Sequence, residues 1–214
     1  MAESILCFLI KVFAFFIRSI PVNWALGIGK AIGYGVYLFD VRHRTLAYSN
    51  LKLAFSETKS PDELKKISRN LFLNFGQNII ELFRLPLLSP KNFHHYVTVE
   101  GKENVEAALE KKKGCILLAM HSGSWEMAST SCTMMGFSYK VFAKEQARHL
   151  KLDALLNSYR SCGGTVVLTR GTGTRDFIRA VQNNELVSIV VDQGGRDGVL
   201  VPFFGRNARL SAGA

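Results

Sequence analysis

Acidic residues are scarce in this 214-residue chain: 17 Asp and Glu stand against 27 Lys and Arg, a formal charge of +10. Such an imbalance points to an anionic partner, whether nucleic acid, a phospholipid surface or an acidic carrier protein, although the ordinary positive flanks of a cytoplasmic-leaflet protein produce it too. Cysteine is scarce as well. Cys7, Cys115, Cys132 and Cys162 are too widely spaced to form a zinc pattern or a redox dithiol. Their spacing favours a reducing compartment and leaves Cys115, inside an apolar run, as a small core residue. A basic n-region and a small-x-small cleavage site are both missing around the first apolar segment, which argues against a secretory signal. There is no Gly-x-Ser-x-Gly elbow, no Walker lysine and no second histidine at helical spacing. These absences disfavour a serine hydrolase, a P-loop enzyme and a metal centre, and no metal or cofactor is expected. The basic residues also lack the interleaved aromatics of a nucleic-acid surface.

What the chain does have is hydrocarbon. Apolar residues make up 48% of it and 15 phenylalanines dominate the aromatics, enough for one substantial core. Ser4 to Arg18 reads as a helix on which Ser4, Lys11 and Arg18, seven apart, form a narrow polar stripe. The pattern fits a helix lying in or obliquely through a membrane interface, with its two cations snorkelling. After Pro21, Val22 to Phe39 is apolar again, with Lys30 its one charge and glycines at 27, 29, 33 and 35 that permit close helix contact. Its 18 residues span a bilayer only marginally, so a core hairpin stays open as the alternative. Arg42, His43 and Arg44 follow as a cytoplasmic flank would. Ser60-Pro-Asp-Glu63 is a helix start, and Leu64, Ile67, Leu71, Phe75, Asn78 and Leu82 continue it at helical spacing up to Pro86, as a structural element. The expected organisation is a membrane-anchoring segment over 1–39, a helical region over 40–90 and an α/β core over 91–214.

That core alternates strands and helices: strands at Tyr96–Glu100, Cys115–Met120, Tyr139–Ala143, Thr165–Leu168 and Leu186–Asp192, and helices at Gly101–Lys113, Glu126–Met135, Leu150–Cys162 and Thr174–Asn183. Alternation of this kind predicts an α/β fold with a mainly parallel sheet flanked by helices. Sites in such sheets gather at the carboxyl ends of strands. His121 and Asp192 both fall there, which suggests a shared cleft.

His121 is the best candidate for a general base. Glu126, five residues on, can orient its ring only if His121 sits in the Ser122-Gly-Ser124 turn and folds back over the first turn of the following helix, because five helical residues place side chains about 140° apart. The small turn and the absence of an elbow favour base-assisted attack by a substrate hydroxyl over a covalent enzyme intermediate. Gly171-Thr-Gly-Thr174 is either an anion contact or a tight helix entry. Between 140 and 180, Lys140, Lys144, Arg148, Lys151, Arg160, Arg170, Arg175 and Arg179 outnumber Glu145, Asp153 and Asp176. This surface is either a solvated face or a contact for an acidic carrier or lipid phosphate.

Leu117-Leu-Ala-Met-His121-Ser-Gly-Ser-Trp-Glu126 resembles the His-x4-Asp/Glu block of glycerolipid-type acyltransferases, in the His-x-Gly-x-Trp-Glu form of the lipid A biosynthesis acyltransferases, the lauroyl and myristoyl transferases. Four further blocks agree in order: Asn50-Leu51 with Phe55; Asn74, Gly76 and Glu81; Val190-Val-Asp192-Gln193; and Val201-Pro-Phe-Phe-Gly205. The resemblance implies transfer of an acyl chain from an acyl carrier protein thioester to a hydroxyl of a lipid A precursor, at the cytoplasmic face of the inner membrane. It implies His121 as base, Glu126 as its orienter, and Asp192, Gln193, Arg160 and Lys144 as substrate-binding residues. The enzyme alternative is action on another glycolipid, such as a phosphatidylinositol mannoside, with an acyl-coenzyme A donor. An inactive membrane-surface binding module is the alternative of another kind. Members of the family continue past the Phe-Phe-Gly block, so a chain stopping at Ser211-Ala-Gly-Ala214 is expected to lack the far side of the fold.

Overall fold

A computed structural model of the chain describes residues 2–142, 149–169, 173–194 and 198–210. Lys144, Arg148 and Arg170 of the cationic stretch, and Gly171-Thr172 of the glycine-rich turn, lie outside the described residues. Four helices lead: α1 (Ala2–Ser19), α2 (Val22–Phe39), α3 (Val41–Phe55) and α4 (Pro61–Arg84). The rest alternates as α5 (Lys102–Glu110), β1 (Cys115–Ala119), α6 (Trp125–Met134), β2 (Tyr139–Phe142), α7 (Leu150–Ser161), β3 (Val166–Leu168), α8 (Gly173–Gln182) and β4 (Leu186–Val190). A two-stranded hairpin, β5 (Val199–Phe203) and β6 (Arg206–Leu210), follows. The main sheet is wholly parallel, in the order β1-β4-β2-β3. The expected α/β class with a parallel sheet is therefore what the chain forms.

The predicted start of α4 is present in full. The Ser60 hydroxyl accepts the Glu63 N–H, and the Glu63 carboxylate accepts the Ser60 N–H at 2.8 Å. Its predicted apolar stripe is less buried than the spacing implied, since Leu71 and Phe75 are each 54% exposed. Its two ends, Leu64 and Leu82, are buried, but between them the packing face carries Ser68, Gly76 and Ile80. Gly76 explains the rotation. Gly29 and Gly33, one turn apart on α2, meet α4 at Gly76, and a Cβ on Gly29 would lie 2.9 Å from both the Gly76 carbonyl and the Gln77 Cα. Backbones this close need residues without side chains, and α4 turns to offer one.

Among the described residues no helix is long and apolar enough to cross a membrane. The two N-terminal helices pack sideways on the rest of the chain. Cys7, Ala14 and Ile17 of α1 and Ala25 of α2 join Ile80, Phe83 and Leu85 and, from α7, Leu155 and Tyr159 in one core cluster. Arg18 does not snorkel. Its Nε donates to the Phe83 carbonyl at 2.7 Å and its guanidinium lies 4.9 Å from the Tyr159 ring centroid. An inward carbonyl and a π face offset part of the desolvation that water would otherwise relieve, while Nη2 is buried without a hydrogen-bond partner among the described residues. At the other end of α1, the Glu3 carboxylate accepts the Lys151 and Leu152 N–H groups, satisfying donors that α7 cannot pair internally. The opposite face of α1 stays apolar and open, with Phe8 64% and Phe15 73% exposed.

Residues 96–100 form no strand, because no neighbouring backbone pairs with them. A cavity of about 490 Å³ lies beside this segment, lined by Phe93, Val97, Val99 and Met135, near the end of α6 remote from His121.

Candidate active site

Strand register brings the first two site residues together. β1 and β4 are paired neighbours with Ala119 opposite Val190. His121 and Asp192 each lie two residues beyond that pair, so they emerge side by side at the carboxyl edge of the sheet. Asp192 then holds the histidine twice. Its Oδ2 accepts the His121 backbone N–H at 2.8 Å, and its Oδ1 accepts from the ring Nδ1 at 2.8 Å. With the proton on Nδ1 engaged by the carboxylate, the lone pair lies on Nε2. The Gln193 amide stands 3.5 Å from Nε2, a long contact that a shorter hydrogen bond can replace. Partial burial pushes the Asp192 carboxyl up, but hydrogen bonds from the His121 ring and backbone and the ring's charge outweigh it, so its pKa lies below the ordinary 3.8. Asp192 is thus built to remain ionised while it orients the ring.

Glu126 is not the partner of His121, and the expectation that it orients the ring is corrected. Ser124 ends the turn, so Glu126 is the second residue of α6, buried against α7. There its carboxylate receives Arg160, with Nε 2.9 and 3.0 Å from the two oxygens and Nη2 2.7 Å from Oε1. The remaining nitrogen, Nη1, donates to Asn157 at 2.9 Å. Every guanidinium nitrogen of Arg160 is therefore engaged by protein, in a largely buried fork-to-fork ion pair. The pair locks α6 to α7. Trp125 links it to the base: its indole N–H lies 3.3 Å from Glu126 Oε1 and its ring meets the His121 imidazole edge-on, centroids 5.1 Å apart.

The contribution of α4 was missed at the level of sequence. Asn78 on α4 donates its amide N–H to the Gly123 carbonyl at 2.6 Å, and the ring of Phe75, one turn earlier, lies 6.3 Å from Trp125. A signal existed: Asn78 is a lone amide in an apolar helical stripe. The Val201-Pro-Phe-Phe-Gly205 block, for its part, forms a hairpin. Phe204 and Gly205 form its two-residue turn with φ of 50° and 68°, the left-handed pair such a turn requires. Phe204 packs on Phe55 of α3, centroids 4.9 Å apart, joining two of the resembling blocks.

The arrangement can accept a proton at Nε2 and stabilise the resulting imidazolium through Asp192. A comparison with family models decides where this dyad belongs: the model described as bacterial lipid A biosynthesis acyltransferase matches residues 1–214. The chain belongs to this family. It is 27% identical over 147 residues to the phosphatidylinositol mannoside acyltransferase of Mycobacterium tuberculosis (strain CDC 1551 / Oshkosh), covering 65% of this chain and 46% of that protein. The enzyme of that name from Mycolicibacterium smegmatis is 27% identical over 161 residues, 72% of this chain and 51% of the relative. The lipid A biosynthesis palmitoleoyltransferase of Escherichia coli (strain K12) is 22% identical over 179 residues, 83% and 57% respectively. This member of the lipid A acyltransferase family thus spans about half the length of the curated relatives it matches.

Proposed function

We propose that the protein is a membrane-associated O-acyltransferase that moves a fatty acyl chain from a thioester onto a hydroxyl of a glycolipid acceptor. The observation that carries this reading is the pairing of His121 Nδ1 with the Asp192 carboxylate at 2.8 Å, which leaves Nε2 with only the long 3.5 Å contact of Gln193 among the described residues. The acceptor hydroxyl gives its proton to Nε2 as its oxygen attacks the thioester carbon. The tetrahedral intermediate then collapses, the C–S bond breaks, and the imidazolium returns the proton to the departing thiolate. Asp192 stays ionised throughout, so the positive charge forms beside a carboxylate already in place.

The preferred donor is an acyl carrier protein, whose acidity matches the +10 charge of the chain. A lipid A precursor is the preferred acceptor, on the family description. The names of the mycobacterial relatives favour a second reading, a phosphatidylinositol mannoside acceptor. The open apolar face of α1 supports attachment to a membrane as an interfacial helix; the cytoplasmic face of the inner membrane is the side on which the proposed donor would be met. Flotation with anionic liposomes, paired with transfer assays using acyl carrier protein or coenzyme A thioesters and either glycolipid, tests these choices. Flotation with transfer that His121→Ala abolishes is the expected result. Flotation without transfer by any pairing would leave a binding module and sink the enzymatic reading.

A further inference from the structure

We infer that Asn78 is a positioning residue for His121, acting through the turn that follows the base; the inference rests on the acyl-transfer reading above. The turn has few ties of its own. The Ser122 N–H donates to the Met120 carbonyl at 2.8 Å, the Ser124 hydroxyl caps nothing, and Gly123 has a φ of +56° with nothing within 4 Å of where a Cβ would stand. Gly123 has no packing to set its pose. Long-range hydrogen bonds do so instead. Asp192 holds the His121 end, from 71 residues away, and Asn78 holds the Gly123 carbonyl, from 45 residues away, at 2.6 Å. The peptide is planar, so fixing the Gly123 carbonyl towards α4 also fixes the direction of the Ser124 N–H and the entry into α6. α4 braces the same turn a second time, through Phe75 against Trp125 and Trp125 against the imidazole. His121 is therefore clamped between β4 and α4, with Asn78 the polar half of the α4 side.

The chemistry needs an amide. A carboxylate at this position offers no donor and repels the carbonyl, while alanine leaves the carbonyl to water. The test measures steady-state acyl transfer by Asn78→Asp, Asn78→Ala and Asn78→Gln against wild type, with His121→Ala as the reference for a lost base. Asn78→Asp and Asn78→Ala should lower kcat by about 10- to 100-fold, the cost of a base displaced by an ångström or less, with donor KM changed by less than about threefold. Asn78→Gln, which keeps a donor, should lie nearer wild type. Asn78→Asp alone should move the acid limb of the kcat/KM profile to higher pH, because a new carboxylate favours the imidazolium. Hydrogen exchange at the 123–125 amides gives a readout independent of turnover and should quicken about tenfold in Asn78→Ala, the loss of a bond worth roughly 1.4 kcal/mol. Wild-type kcat in both Asp and Ala variants, or unchanged exchange, overturns the clamp; should the Asp variant fail to fold, the Ala variant decides. If instead wild type transfers no more than His121→Ala, the acyl-transfer reading falls by itself, and exchange judges the clamp.

Discussion

Removing Arg160 should damage the fold more than any exposed cation could. The Glu126 carboxylate is 10% exposed and takes three short guanidinium hydrogen bonds, with a 3.3 Å contact from Trp125 beside them. In Arg160→Ala that charge stays buried, since α6 and α7 leave water little access to it. Truncating one partner of a buried pair costs about 3–5 kcal/mol, and the 24% exposure of Arg160 favours the lower end, about 3. For a chain of this size that is a fall of roughly 6–12 °C in Tm. Thermal unfolding by circular dichroism, in a cycle of Arg160→Ala, Glu126→Gln and the double variant, isolates the pair. The double variant should be clearly more stable than the sum of the single losses implies, because neutralising the carboxylate removes the orphaned charge. An Arg160→Ala protein melting within about 2 °C of wild type, or a cycle without coupling, would refute this account of the ion pair.

Other consequences follow from single residues. Gly33→Ala drives a Cβ into the Phe72 carbonyl and should cost about 1–3 kcal/mol, whereas Gly27→Ala, with nothing within 4 Å, should be neutral or stabilising by up to about 1; equal melting temperatures would contradict the close α2–α4 contact. Burial pushes the Cys132 thiol up to about 11, so at pH 8 about one thiol in a thousand is ionised and alkylation of Cys132 should be very slow; rapid labelling of the folded protein at Cys132 would be the contrary result. The Asp192 pKa lies below its ordinary value in the folded chain, so its stabilising contribution is complete above that ordinary value and is lost as pH falls through the folded one. Asp192→Asn should therefore flatten the decline of Tm below about pH 4; an unchanged slope would argue against the carboxylate's hydrogen bonds.

Much of the architecture was legible because it rests on local pattern. Cys115 to Ala119 and Leu186 to Val190 are short, mostly apolar runs, and that pattern makes parallel strands; only the central β4 is largely buried, while β1 at the sheet edge leaves Ile116 and Leu118 exposed. The placement of His121 and Asp192 at strand ends followed from the same pattern; their pairing waited on the strand order, because only adjacency of β1 and β4 makes the two ends neighbours. Glu126 was misread for a related reason. Its spacing from His121 is visible in sequence, but its partner lies 34 residues away on α7. Arg18 read as a snorkelling cation because hydropathy sees a stripe and not the Phe83 carbonyl behind it. Tyr96–Glu100 has a strand's composition without a strand's neighbour.

In the proposed reaction His121, oriented by Asp192, is the base of an acyl transfer. Its most direct test is the acyl-transfer kcat/KM of Asp192→Asn, a near-isosteric change that leaves a side chain beside Nδ1 but removes the charge that fixes the tautomer and stabilises the imidazolium. The account predicts a loss of roughly 10²–10⁴, comparable to that of His121→Ala, in a protein that still folds. A folded Asp192→Asn enzyme working within about twofold of wild type would contradict it.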